Sequence, residues 1–552
     1  MGIFDLSNPN FYILVVLSIV NSATLCFVAT KLFQIIQLSG YKLGGYWAWL
    51  KDTKIKFVGR LIMLSFLSLI SVLVTNALLD GFGGYYTYLG LIFYFYFCVI
   101  FIINVAKLPQ KTPLKQTRRM NRLIIVTFIL MALITFGLTT VTTEFLELLK
   151  YGVVVLTPLF LPFIVPFANI VIAPVEALVR YYYKAKAKDK LKKMPNLIKI
   201  GITGSFGKTT TKHILNVLLS KKYSVCMTPH SFNTPMGLTK VILKYLKWEN
   251  QVLIAEMGAK HVGDIKYLCK LINPKHAIIT SVGSQHLLTF GSEENIAKTK
   301  YELVDAINDG VVVFNGSNEG SLKLYNKCEK EKYITGINID NGFCNITNID
   351  VSTTGSTFTL EIDGEKVECE TVLLGKSNLE DIAMASALAY KLGVSLEEIK
   401  DAIKQVKPMA HRLELIKNNN GLTIIDSSYN SSEESSKSSL EVLNMFKSGK
   451  KIIVTPGLVE MGEKEKFVNL EFGKNIADVC DRVIIVNQVN KDAITLGLQD
   501  KKFNMENVYF AQDLNAVKEL LPTIAQSGDI VLFENDLPDN YTWLMNITDK
   551  AC

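Results

Sequence analysis

Ile198-Lys199-Ile200-Gly201-Ile202-Thr203-Gly204-Ser205-Phe206-Gly207-Lys208-Thr209-Thr210 is the stretch on which the reading of this chain turns. The apolar run Ile198–Ile202 predicts a buried strand, and Thr209–Leu219 predicts a helix. Between them lie two glycines, a lysine and several hydroxyls. Such a loop suits phosphate: glycines let backbone N–H groups approach an anion, and the helix N-terminus adds partial positive charge. Lys208 can reach the terminal phosphates of a nucleotide and Thr209 can ligate Mg²⁺. Gly204, Ser205, Gly207, Lys208, Thr209 and Thr210 are therefore the candidate phosphate contacts. The full G-x-x-x-x-G-K-[ST] spacing is not met, because Ile202 stands at its first position.

The segments downstream alternate in the same way. Short apolar runs at Gln251–Ala255, His276–Thr280 and Val311–Phe314 read as buried parallel strands, with a helix at Glu293–Ile307. Residues 345–374 read as a small antiparallel excursion, and Ser377–Leu392 is Ala-rich and helical. A second α/β unit starts near Met409, with strands at Leu422–Asp426, Lys451–Pro456, Arg482–Asn487, Val508–Phe510 and Ile530–Glu534. A hinge is expected at Lys407–Arg412. Residues 427–439 hold eight serines in thirteen positions and read as a flexible loop. Glu256 ends its strand beside the phosphate loop, where a carboxylate can hold Mg²⁺ or a water bound to it. His286 follows another strand on the same edge.

Taken in order, the phosphate loop, Asn233-Thr234-Pro235-Met236-Gly237, Glu256-Met257-Gly258-Ala259, His286 and Ala297-Lys298-Thr299-Lys300 resemble the Mur ligase family. They are most similar to its MurF branch, which joins D-alanyl-D-alanine to a UDP-N-acetylmuramoyl-tripeptide. Gly375-Lys376-Ser377-Asn378, His411-Arg412-Leu413 and Asp426-Ser427-Ser428-Tyr429-Asn430 extend the match over about residues 195–550. The resemblance implies an ADP-forming ligase that activates a carboxylate as an acyl phosphate for attack by an amine. It implies ATP and Mg²⁺, with two metal sites. Lys208, His286 and Lys300 would be catalytic. Thr209, Glu256, His286 and Lys300 would serve the metals, the lysine matching Lys300 being usually carbamylated in this family. Asn378, Arg412 and Asp426 would contact the nucleotide, and Asn233, Thr234, Tyr429 and Asn430 the other substrates. Two departures stand out. The family's D-D-S-Y-N-A-N-P reads Asp426-Ser427-Ser428-Tyr429-Asn430-Ser431-Ser432-Glu433 here, and its G-x-H-N lacks the His.

Upstream of residue 180 the chain changes character. Uncharged stretches within Leu6–Thr30, at Leu61–Leu79, about Tyr88–Ala106 and at Leu123–Thr143 are long enough to cross a ~30 Å hydrocarbon core. A fifth, Tyr151–Val175, carries Pro158, Pro162, Pro166 and Pro174, so a kinked helix, or a broken or re-entrant segment, is expected. The first stretch lacks the basic n-region of a signal peptide. Basic residues collect in alternate connections, at 31–60, 107–122 and 180–193. By the positive-inside rule the N-terminus lies outside and everything after residue 180 is cytoplasmic.

The organisation expected is thus an α-helical transmembrane domain (1–180), a basic juxtamembrane linker (181–195), a P-loop-type ATP-binding central domain (196–408) and a Rossmann-like C-terminal domain (409–552). In this order the membrane region stands where MurF-type enzymes carry the domain that holds UDP. The 552 residues are 49% apolar and 20% charged, with net charge +8 and mean hydropathy +0.25, which excludes a disordered chain. The nine cysteines form no C-x-x-C pair and read as reduced thiols.

The first functional reading is a plasma-membrane ligase of cell-wall precursor synthesis, in contact with membrane lipids. Its amine donor would be an amino acid or a dipeptide such as D-Ala-D-Ala, its acceptor a soluble or lipid-linked muropeptide; nucleic acid is not a partner. A second reading is a ligase for another envelope amide polymer, poly-glutamate or pseudomurein-like. A third is a non-catalytic membrane scaffold for cell-wall synthesis proteins. A transporter has little support, since the apolar stretches hold almost no ionisable residues.

Overall fold

Residues 9–52, 57–79, 86–106, 113–145, 152–283, 287–417, 421–429, 431–459 and 461–536 are described by the computed structural model. They fall into two compact units, one ending at Arg180 and the other beginning at Tyr181.

The first unit is helical. Five helical stretches, within Phe11–Val28, Val58–Thr75, Leu89–Ala106, Arg118–Val141 and Val153–Lys192, are long and apolar enough to cross a membrane. Their apolar residues do not follow one stripe, because one side faces protein and the others are outward. Tyr12, Phe27, Phe66, Ile92 and Leu133 are exposed, whereas Leu14, Leu25, Val72, Tyr94 and Met131 are buried. A polar knot lies in this core. The buried Asn21 amide donates to the hydroxyls of Thr135 and Thr157, both at 3.0 Å, and its carbonyl accepts from Tyr94 Oη at 2.7 Å. Every polar atom of the Asn21 side chain thus has a partner, as an apolar surrounding demands.

The fifth stretch begins as a 3₁₀ helix over Gly152–Phe160 and continues as an α-helix over Leu161–Lys192, with Pro166 and Pro174 inside it. The expected prolines therefore sit within a helix rather than breaking it. Pro166 has no N–H to donate to the carbonyl of residue 162. The fully buried Tyr46 hydroxyl donates to that carbonyl instead, at 2.9 Å. In hydrocarbon an unpaired carbonyl has no water to turn to.

The second unit contains two sheets. The first sheet comprises β1 (Ile198–Thr203), β2 (Val225–Met227), β3 (Val252–Glu256), β4 (His276–Ile279), β5 (Val312–Asn315), β6 (Lys332–Ile337), β7 (Cys344–Ser352), β8 (Gly355–Ile362) and β9 (Glu365–Thr371). Their spatial order is β2-β3-β1-β4-β5-β6-β7-β8-β9. Pairing is parallel through β6–β7 and antiparallel from β7 to β9, so the expected excursion is a continuation of the same sheet. Side chains of the central strands alternate between two cores. Ile200, Ile202, Val252 and Ile254 face one; Leu253, Ala255, Ala277 and Ile279 face the other. Burial on both faces is why these strands read as continuous apolar runs. The chain leaves β1 toward β2 and β3 on one side, then crosses to β4 on the other. The carboxyl end of β1 is therefore the point where strand order reverses, the place at which such sheets open a crevice.

The second sheet comprises β10 (Glu414–Lys417), β11 (Thr423–Ser427), β12 (Lys451–Thr455), β13 (Arg482–Val486), β14 (Val508–Ala511) and β15 (Ile530–Glu534), ordered β10-β11-β15-β12-β13-β14. All pairs are parallel except β10–β11. The flexible loop expected at 427–439 is corrected by the structure: Glu433–Asn444 is a helix. Ser432 and Ser435 form a reciprocal capping box, and Glu433 and Glu434 lie in the first turn, where the helix end favours acids. Ser436, Ser438 and Ser439 are buried, and the hydroxyls of Ser436 and Ser439 return to carbonyls three and four residues back.

Tyr46→Phe removes the substitute donor at Pro162 and leaves a buried carbonyl unpaired. Destabilisation of the helical unit by about 1–3 kcal/mol is expected. Thermal unfolding of the detergent-purified chain checks this; an unchanged transition would contradict it.

Candidate active site

The carboxyl ends of β1, β3 and β4 carry most of the residues singled out in the sequence. Gly204 and Gly207 are required there. A Cβ on Gly204 would lie 2.0 Å from Thr280 Oγ1, and Gly207 has φ +79° with Asp381 Oδ1 2.5 Å from where a Cβ would stand. The loop between them is tied to the segment after β4. Ser205 N donates to Ser281 O at 2.9 Å, Phe206 N to Ser281 Oγ at 2.9 Å, and Gly283 N to Ser205 Oγ at 3.0 Å. Gly207 then caps the Lys208–Leu219 helix.

Lys208 folds over this loop, its Nζ donating to Gly204 O at 2.6 Å and Ser205 O at 2.8 Å. Burial lowers its pKa to about 8, with Glu256 opposing and Arg412 reinforcing the shift. One helical turn on, the fully buried Lys212 pairs with Glu256 Oε2 at 2.9 Å and donates to His230 O at 2.5 Å. Burial alone would push the Glu256 carboxyl up; the charges of Lys212 and Lys208 and the amide of Asn233 hold it below the usual carboxylate range. Asn233 Nδ2 donates to Glu256 Oε1 at 3.1 Å. Lys300, on the Glu293–Asp305 helix, is buried, and desolvation with the nearby Lys208 charge drives its pKa far below that of a free lysine.

Residues from the far half of the unit close over the same edge. Arg412 donates to Thr209 Oγ1 at 3.2 Å and lies 4.7 Å from the Tyr429 ring centroid. Tyr429 Oη and Ser231 Oγ are hydrogen-bonded at 2.7 Å. Asp426 is held by His411 Nδ1 at 2.7 Å and Ser428 Oγ at 2.6 Å. Asn378 is buried, donates to Leu374 O at 2.7 Å, and lines a small pocket with Thr210, His213, Ile214, Leu373, Val406 and Met409. Thr234 acts within its own segment, where its hydroxyl caps the Pro235–Lys240 helix by accepting from Gly237 N. His286 and Asn430 lie outside the described residues.

Two residues absent from the sequence reading belong to this edge. Lys212 is one. The other is Asp381, buried in the Ala-rich helix, which accepts from Thr211 Oγ1 at 2.7 Å beneath Gly207. Desolvation raises its pKa well above the carboxylate range, with the Thr211 hydrogen bond opposing. The signal for Lys212 was its i+4 spacing from Lys208, which carries it to the next turn of the same helix. An isolated acid among alanines was the signal for Asp381.

The sequence comparisons match this geometry. Residues 202–389 match the Mur ligase middle domain and residues 411–534 the Mur ligase, glutamate ligase domain. The UDP-N-acetylmuramoyl-tripeptide–D-alanyl-D-alanine ligase of Bacillus subtilis is 31% identical over 338 residues, which cover 61% of this chain and 72% of the relative. The chain belongs to the Mur ligase family. The corresponding Escherichia coli enzyme is 27% identical, over 52% of this chain and 64% of its own length. Among solved structures, the MurF ligase of Thermotoga maritima in complex with ADP superposes with a TM-score of 0.58 at 26% identity, covering 67% of this chain and 83% of that one. Mur ligases are ATP-dependent, ADP-forming amide ligases that use Mg²⁺, and this chain is such a ligase of the MurF type.

In the free protein Lys208 loses its proton as pH rises through about 8, and with it the charge offered to an incoming phosphate. The kcat/KM for ATP, which reports groups of the free enzyme, is expected to fall by about tenfold per pH unit above that point. Steady-state rates from pH 6.5 to 9.5 (roughly the range that brackets this pKa) check it; a profile flat to the alkaline end would contradict the role of Lys208.

Proposed function

We propose that this chain is a membrane-anchored ligase of peptidoglycan precursor synthesis. It would activate the terminal carboxylate of a muropeptide with ATP and join it to D-Ala-D-Ala or a related amine. The observation that carries the reading is the convergence of Lys208, Thr209, Glu256, Lys300 and Arg412 on one sheet edge, from residues far apart in the chain.

The roles follow from charge and reach. The loop Gly204–Gly207, Lys208, Thr209 and Thr210 would bind the triphosphate in a P-loop-type manner. Lys208 would turn from Gly204 O and Ser205 O to the γ-phosphoryl group and regain its proton against that charge. Arg412 would leave Thr209 for the phosphates. Asn378 and its apolar pocket would take the base, and Asp426 the nucleotide once the Rossmann-like C-terminal domain (409–552) closes on the central domain (196–408). Asn233, Tyr429, Asn430 and Thr234 would face the other substrates. Little covalent help is needed from the protein, since phosphoryl transfer asks mainly for charge neutralisation and alignment.

The donor set fits Mg²⁺. Thr209 supplies a hydroxyl and Glu256 an ionised carboxylate, both buried, and Mg²⁺ is usually held by one or two carboxylates with substrate phosphates completing the shell. When bound, the cation neutralises charge spread over the phosphates. A second site would draw on His286 and Lys300. The depressed pKa of Lys300 supports its carbamylation, because only the neutral amine adds CO₂.

The five apolar helices support the membrane anchor, and the alternation of basic connections supports a cytoplasmic ligase unit. They also favour an acceptor carried on lipid. The donor side departs from the family stretch: Ser427 is buried and accepts from Ser439, and Ser431 and Ser432 turn inward. That favours testing single amino acids beside D-Ala-D-Ala.

ADP release from the purified full chain, crossing UDP-linked and lipid-linked muropeptides with D-Ala-D-Ala and single amino acids, tests the reading. Turnover requiring acceptor, amine and Mg²⁺ together is expected, with Lys208→Ala inactive. Turnover with the UDP-linked acceptor equal to or above the lipid-linked one would remove the lipid-linked version. No acceptor-dependent ADP release with any pair would overturn the proposal.

A further inference from the structure

The helical unit holds a cluster of arginines that the ligase chemistry does not use. The Arg118–Phe145 helix carries Arg118, Arg119 and Arg122 within its first five residues. Helix N-termini carry partial positive charge, so cations there are unfavourable unless an anion compensates them. A carboxylate, Glu176, lies within ion-pair distance of the cluster. Arg122 Nε meets Glu176 Oε1 at 2.6 Å, and the Glu176 side chain is 4% exposed. Arg180 stands one turn beyond Glu176 on its helix and lies within electrostatic reach of the Arg119 guanidinium. Arg122 and Arg180 thus stand close to Arg119, with Glu176 among them.

The cluster is built rather than frayed. Arg119 stacks on Tyr41, its Cζ 3.6 Å from the ring centroid. Tyr41 holds φ +64°, and its carbonyl accepts from the buried Asn169 amide at 3.1 Å. Gln37 clamps the segment before the helix through both backbone groups of Lys115, at 2.8 and 2.9 Å. Yet Arg119 Nε and Asn169 Oδ1 are buried with no hydrogen-bond partner. A positioned guanidinium with an unmet donor, beside two further cations and a helix N-terminus, is the chemistry that recognises a phosphate oxygen.

We propose that Arg118, Arg119, Arg122 and Arg180 form a phosphate-headgroup site for a membrane lipid at the basic end of the helical unit. The inference rests on the reading of the five helices as membrane spans, which places their basic ends at a lipid surface. Basic pockets between spanning helices on the cytoplasmic side are where anionic headgroups bind. Two sources share this chemistry: the phosphodiester of a bulk anionic lipid, and the diphosphate of a polyprenyl carrier.

The test is native mass spectrometry of the detergent-purified full chain, loaded in separate arms. The arms are dioleoylphosphatidylglycerol, a long-chain polyprenyl diphosphate, dioleoylphosphatidylcholine and inorganic phosphate. Wild type is expected to retain one anionic lipid roughly tenfold or more above phosphatidylcholine, and Arg119→Gln with Arg180→Gln to lose that preference. The double lysine variant, which keeps charge without the planar fork, should retain part of it. Preference for phosphatidylglycerol identifies the bulk source, and preference for the polyprenyl diphosphate the carrier; either supports the site. Equal retention of phosphatidylcholine, retention of inorganic phosphate alone, or a glutamine variant that binds as wild type would overturn it. Alkaline washing of membranes separates the two failures. Wild type washed off defeats the spanning reading and the site with it; wild type retained without lipid preference defeats the site alone.

Discussion

The ion pair between Lys212 and Glu256 sets the conditions for everything at the carboxyl edge of the first sheet. Both side chains are almost wholly buried, and removing one member of such a pair typically costs about 3–5 kcal/mol because the other charge is stranded. The pair holds the Glu256 carboxyl below the usual carboxylate range in a place where desolvation alone would raise its pKa. It also joins the helix after β1 to the end of β3. Lys208 sits one turn before Lys212 on that helix, so the residue that stabilises the acid and the residue proposed to face phosphate are positioned together. The same low dielectric that drives Lys300 toward a neutral amine would strengthen every charge interaction made by a bound triphosphate.

Glycine and aspartate complete the frame from below. Gly207 takes its left-handed conformation directly over Asp381, and the Ala-rich helix that carries Asp381 comes within hydrogen-bond distance of the loop through Thr211. Small side chains along that helix permit the approach. The second sheet delivers Arg412, Asp426 and Tyr429 to the same region, and Arg412 donates to Thr209 there.

Much of this was legible in the residues alone. Strands such as β3, β12 and β15 are apolar on both faces over most of their length, and a buried strand of that kind declares itself as an apolar run. Short or mixed strands did not: β2 has three residues, and β10 combines charge with leucine and isoleucine. The serine-rich stretch misled because its composition resembles a linker. Its helix depends on where individual hydroxyls turn, which composition does not record. The phosphate loop and Glu256 could be read because their types and spacing carry chemistry. Lys212 and Asp381 could not be placed, since their partners lie 44 and 170 positions away and only folding brings them together. The prolines of the fifth apolar stretch suggested a kinked, broken or re-entrant segment, whereas Leu161–Lys192 runs helical through Pro166 and Pro174; Tyr46 as the donor to Pro162 was not legible.

The helical unit shows the same economy in its own core. Asn21 and Tyr46 each satisfy a polar group that burial would leave bare, while the arginines near residue 119 leave one unsatisfied. The most direct measurement of the central claim is calorimetric titration of the full chain in detergent with a non-hydrolysable ATP analogue, with and without Mg²⁺. Mg²⁺-dependent binding by wild type, weakened roughly tenfold or more in Lys208→Ala, is the result expected of a buried cation facing phosphate. Equal affinity in the two proteins, or binding indifferent to Mg²⁺, would contradict it.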